Sequence, residues 1–177
     1  IAELGEGSGG DDFMVTFGST GTGGWNGTRD ERDHAGTFMH ELGHTLGLKH
    51  GGGDEIVGKP NYISVMNYAL TEPLPFSDGF WTLDYSREAL PTLRESSLSE
   101  PAGIPCVLCQ QNTQMPFGVN DGIGGRVIQY VQLNGTETDW NGDGTPMDNN
   151  TSQDLNYLGP TAPFAGVASS SFAETMP

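Results

Sequence analysis

Apolar residues along this chain fall in short runs divided by Gly, Pro, Asn and Asp. Ala35, Phe38 or Met39, Leu42 and Leu46 recur at helical spacing. Ahead of them, Thr28-Arg29-Asp30-Glu31 reads as a capping box, in which Thr28 accepts from the amide three residues on and Glu31 reaches back. Asp30 and Glu31 also suit the positive end of the helix dipole. The pattern predicts a helix from about Arg29 to about Leu46, with its apolar stripe on the scaffold and His40 and His44 toward a cleft. Residues 13–17, β-favouring and bounded by Asp and Gly, predict a strand. Residues 127–133 alternate partly and predict another. Residues 84–90 read as a short helix stopped by Pro91, and 92–98 continue helically until Pro101 and Gly103. The remainder is turn and loop, including residues 1–12, 18–27, 54–61, 70–80 and 118–125. An Ala/Ser/Pro-rich tail over 161–177 reads as a linker or a loosely docked end.

Composition narrows the field. A length of 177 residues suits one domain with a small appendage, and 27 glycines and 11 prolines imply much irregular backbone. The net charge of −16 argues against nucleic acid and against an anionic membrane as partners. It fits an extracellular, calcium-loaded or salt-exposed protein, and equally a self-repelling soluble surface. No apolar run approaches the ~20 residues that span a bilayer.

The chemistry sits in residues 38–50. His40 and His44, four apart, share one face of a helix one turn from each other. Glu41 lies about 100° round the helix, beside them and within reach of a water between them. Gly47 can take positive φ and turn the chain, bringing His50 back as a third ligand. Three neutral imidazoles suit zinc, with a fourth position left for water. His34 falls outside this spacing and reads as an exposed helix residue.

His40-Glu41-x-x-His44-x-x-Gly47-x-x-His50 resembles the extended signature of the metzincin metallopeptidases at every fixed position. Ser64-x-Met66-x-Tyr68 resembles their methionine turn, in the form found in astacins and serralysins. The resemblance covers about residues 37–68. It implies an α/β domain with a mixed, mostly parallel sheet, a central zinc-binding helix and an irregular C-terminal subdomain. It implies that Glu41 is the general base, that Met66 is a soft floor under the imidazoles rather than a ligand, and that Tyr68 reaches the metal or the reacting carbonyl. It makes residues 13–17 the candidate edge strand for substrate, and Leu74, Phe76, Phe80 and Trp81 candidate pocket walls. Both sets can equally be ordinary core. Gly51 follows the third histidine where the best-known branches carry Glu, Pro, Asp or Ser, so the subfamily stays open. Fewer than forty residues precede His40, which implies that part of an N-terminal subdomain, or a propeptide, lies upstream.

Two further features stand apart. Cys106 and Cys109 are the only cysteines; one pair is too few for a structural zinc, and a local disulfide is expected. Asp139-x-Asn141-x-Asp143-Gly144-Thr145 opens like a calcium loop, with the glycine at the sharp turn and Asp148 as a further carboxylate. A solvated Asp/Asn turn is the plainer alternative. The chain thus divides into a catalytic part over 1–133, a calcium-loop segment over 134–160 and a tail over 161–177.

The expected function is a secreted zinc endopeptidase that hydrolyses protein or peptide substrates with a Glu-assisted, zinc-activated water. The alternative is a calcium-stabilised binding or adhesion module on the same scaffold, without turnover.

Overall fold

The computed structural model describes residues 12–15, 31–74, 77, 79–120 and 126–156. Among them are one α-helix, α1 (Glu31–Thr45), a one-turn 3-10 helix at Glu100–Ala102, and two strands, β1 (Gln114–Asn120) and β2 (Arg126–Gln132). The strands pair antiparallel, with Met115 opposite Val131 and Phe117 opposite Gln129. Along β1, Gly118 donates its N–H to the Leu155 carbonyl at 3.1 Å.

The expected mixed, mostly parallel sheet with a central helix is therefore overturned. A parallel sheet needs several buried strands joined by long crossovers. The described chain has two regular runs, separated by five residues, and that separation permits only an antiparallel pair. Most of the remaining backbone is turn, punctuated by glycine and proline.

The apolar core is built mainly from this pair and the irregular chain around it. Met115, Phe117, Val119, Val131, Leu133, Ile104, Trp140 and Leu155 pack with Ala69, Leu70, Phe80, Leu90, Leu93 and Leu98. Trp140 meets Phe117 edge to face at 5.0 Å between centroids. Residues of the 134–156 segment thus share the core, and isolated bridges at Leu98–Thr151 and Pro105–Asn134 join that segment to the chain before it.

Helix α1 contributes nothing to that cluster. The expected apolar stripe is corrected: Phe38 and Leu46 are half exposed, and the buried positions are Gly36, Thr37, His40 and Gly43. The small residues decide the docked face. A Cβ at Gly36 would run into the Thr71 carbonyl oxygen, and one at Gly43 into the Met66 sulfur. The helix therefore lies against the Thr71 backbone and the Met66 side chain more closely than a leucine face would allow.

Other expectations also change. Residues 12–15 form no strand, and 16–17 lie outside the described residues, as do Thr28, Phe76 and the 161–177 tail. The strand expected over 127–133 appears as β2, and Gly118 belongs to β1 rather than to a turn. No helix forms over 84–98, because tertiary partners capture its backbone carbonyls. Asp84 accepts from the Val65 amide at 2.9 Å and Glu95 from the Gln153 amide at 2.9 Å. Pro91 accepts from the Asn61 side chain at 2.9 Å.

Candidate metal centre

α1 places His40 and His44 on one face and then stops between them and His50. The Leu48 amide donates to the Gly43 carbonyl and the Gly47 amide to the His44 carbonyl, with Gly47 at φ +86°. This pair of bonds is the Schellman ending, and only a residue comfortable at positive φ can make it. A tight turn follows, closed by paired bonds between Lys49 and Gly52, and it returns His50 to the helix. One nitrogen from each of His40, His44 and His50 then lies within 4.8 Å of the others.

Backbone carbonyls orient the rings of His40 and His44, and His50 Nδ1 lies 3.9 Å from the Glu55 carboxylate. His40 Nδ1 stands 2.8 Å from the Val65 carbonyl oxygen and His44 Nδ1 2.9 Å from that of Leu48. A carbonyl accepts only, so both Nδ1 atoms carry the proton and both Nε2 lone pairs are left for a metal. Thr71 Oγ1 donates to the same Val65 oxygen at 2.9 Å and lies 3.2 Å from His40 Nδ1. Burial pushes the His40 pKa down to about 4, aided by His44 and His50 and opposed by the Val65 carbonyl. His40 is therefore neutral at ordinary pH, as a ligand must be. The donor set is three imidazole nitrogens, a set that can hold a metal ion and that fits zinc.

The expected neighbours gather here as well. The Tyr68 ring stacks on His40 at 5.4 Å and lies 4.4 Å from His50, and it is half exposed. Met66 is fully buried, with its sulfur under Gly43 between the first two ligands. The turn itself is fixed by Asn67, whose side-chain amide donates to the Lys59 and Tyr62 carbonyls, each at 2.9 Å. Tyr85, its pKa raised by burial, donates to the Met39 carbonyl at 2.7 Å and packs beside Met66 against Gly43. Glu41 is partly exposed on α1, and His34 is exposed.

No protein-family model matches the chain, and neither a curated protein nor a solved structure is similar to it. The site must therefore be judged on its own geometry.

That geometry accounts for Gly51. A Cβ there would collide with the Asp54 carboxylate and come within 2.5 Å of the Ile56 carbonyl. The residue after the third histidine is glycine because the next loop folds back over it.

The acidic loop is ordered differently. Asp139 accepts from the Gly142 amide at 2.7 Å, the Asp143 amide at 3.1 Å and the Gly144 amide at 2.7 Å. Gly144 takes φ +88° at the expected turn. The Asn141 side chain lies 3.4 Å from Asp143, 3.2 Å from Asp148 and 3.1 Å from Thr151. Hydrogen bonds from the Thr145 hydroxyl, then from its amide and from Asn141, hold the Asp143 carboxyl below its usual pKa.

Several organising residues escaped the sequence reading. Glu100, fully buried, accepts from the amides of Trp140 at 3.1 Å, Asn141 at 3.4 Å and Asp148 at 3.0 Å. Glu88 accepts from the Val107 and Leu108 amides, at 3.0 and 2.8 Å, and so steadies the loop closed by the Cys106–Cys109 disulfide. Of the candidate pocket walls, Phe80 is core and Trp81 is tied through its indole N–H to the Leu70 carbonyl at 2.8 Å. Both line a cavity with Tyr85, Leu90 and the disulfide, and none of the three histidines borders it.

Proposed function

We propose that this chain is a secreted zinc endopeptidase whose site is of metzincin type. The observation that carries the reading is the convergence of His40, His44 and His50 on one point, with Glu41 next to the first ligand and Tyr68 stacked over the group. The same three-residue set resembles the metzincin signature, and Met66 under Gly43 suits the methionine-turn role. The likeness concerns the site alone.

Bound zinc would supply a Lewis acid that acidifies a water and polarises the scissile carbonyl. Glu41 takes the proton from the attacking water and delivers it to the departing amine. The Tyr68 phenol, half exposed over the histidines, donates a hydrogen bond to the oxygen that gains negative charge. His40 and His44 keep their Nδ1 protons on backbone carbonyls, so neither competes with Glu41 for the transferred proton. The substrate is protein or peptide. The disulfide fits an oxidising, extracellular setting, and the 139–148 loop fits calcium.

Digestion of an unfolded protein, with zinc and calcium supplied, tests this. The parent chain should cleave it, and Glu41→Gln should retain one zinc per chain while losing ~10²–10⁴-fold in rate, the scale of general-base removal. Cleavage by Glu41→Gln at the parent rate would remove Glu41 from the mechanism. Full zinc loading with no cleavage by either chain would favour a binding module without turnover.

A further inference from the structure

Lys59 is fully buried in a chain with only 7 basic residues. Lysine is almost never fully buried unless it is paired. Its Nζ donates to the Asp54 carboxylate at 2.7 Å and to the Gly51 carbonyl at 3.1 Å. Gly51 directly follows His50. Asp54 in turn accepts from the Ile56 amide through its other oxygen at 2.9 Å, and its carbonyl accepts from the Gly51 amide at 2.9 Å. The loop after the third ligand is thus folded around one ammonium group. The Lys59 carbonyl meanwhile accepts from Asn67, which sits between Met66 and Tyr68.

We propose that Lys59 is a positioning residue of the metal site: it fixes His50 through Asp54 and the Gly51 carbonyl, and it ties that loop to the turn bearing Met66 and Tyr68. The inference rests on the reading of the three histidines as a metal site. His40 and His44 are placed by one helix and need no such help. His50 lies beyond the helix end in the Lys49–Gly52 turn, and that glycine-rich turn takes its position relative to α1 from the loop that follows it. A buried cation with two oxygen partners at fixed distances fixes that loop. The arrangement also explains the intolerance at Gly51, because the space a side chain would need is filled by Asp54, which Lys59 holds.

The test is zinc affinity of the full chain, measured by competition with a chromophoric chelator, for the parent, Lys59→Met, His50→Ala and the double variant. Lys59→Met should weaken zinc binding tenfold to a hundredfold, the range for partners of metal ligands. In the His50→Ala background the same change should cost less than twofold, because its target is gone. Asp54→Asn, at a partly exposed position that tolerates substitution better, should weaken binding in the same direction and serves if Lys59→Met does not fold. Zinc affinity unchanged in Lys59→Met, or in Asp54→Asn where that variant has to serve, overturns the proposal. So does a loss that recurs in full without His50. A parent chain that binds no zinc at all overturns the metal-site reading first, and this inference with it.

Discussion

The three histidines and the acidic loop over 139–151 both gather polar side chains closely, and they do so in opposite ways. Around the histidines the contacts are non-local: Val65 and Thr71 hold His40 from 25 and 31 residues away. An imidazole is uncharged in its ligating form, so three of them can stand within 4.8 Å without strong repulsion. In the loop the partners are mostly two to five residues apart, and the donors are carboxylates. Asp139 and Asp143 turn their oxygens onto backbone amides of their own loop, which disperses charge that would otherwise be concentrated. The histidine group is shaped by the packing of separate segments. The loop's carboxylates are taken up by its own amides, and an ion there would have to displace some of those hydrogen bonds.

Acidification should separate the two regions most strongly. His40 has a folded-state pKa of about 4 against 6.5 unfolded, so below pH 6.5 the unfolded chain binds the extra proton. Stability from this group is therefore present above pH 6.5 and lost as pH falls toward 4, by about 3 kcal/mol in the metal-free chain. Thermal melts of chelator-treated protein at pH 6.5 and 4.5 should show about 2 kcal/mol of that loss, and His40→Gln should show much less of it. An equal fall in both would assign the acid sensitivity to carboxylates instead.

Calcium should produce a smaller effect, confined to the other region. With affinity in the range typical of extracellular modules, a few millimolar calcium would stabilise the fold by about 1 kcal/mol. That corresponds to a rise of a few degrees in melting temperature. Asp139→Asn should abolish the rise and leave zinc binding within twofold. A calcium-induced rise that survives in Asp139→Asn would place the ion elsewhere.

The same contrast explains what could be read from the sequence. His40, His44, Gly47 and His50 act within eleven residues, so helical geometry and one left-handed glycine suffice to join them. Cys106 and Cys109, and the turn at Gly144, are equally local. The fold is less legible because the parallel sheet follows from a family likeness, while among the described residues only two adjacent runs form strands. The docked face of α1 was misread because apolar residues mark burial only where side chains do the packing. Gly36 and Gly43 pack by having none. Residues 84–98 have helical character, but their carbonyls go to Val65, Asn61 and Gln153. Nothing in the local sequence marks Lys59 or Glu100, because their partners lie across a loop or about forty residues away.

X-ray absorption at the zinc edge of the singly loaded chain tests the central claim most directly. Three imidazole nitrogens and one oxygen at about 2.0 Å are the expected shell. A shell of oxygens alone would put the ion in the acidic loop, and His40, His44 and His50 would then not be the metal centre.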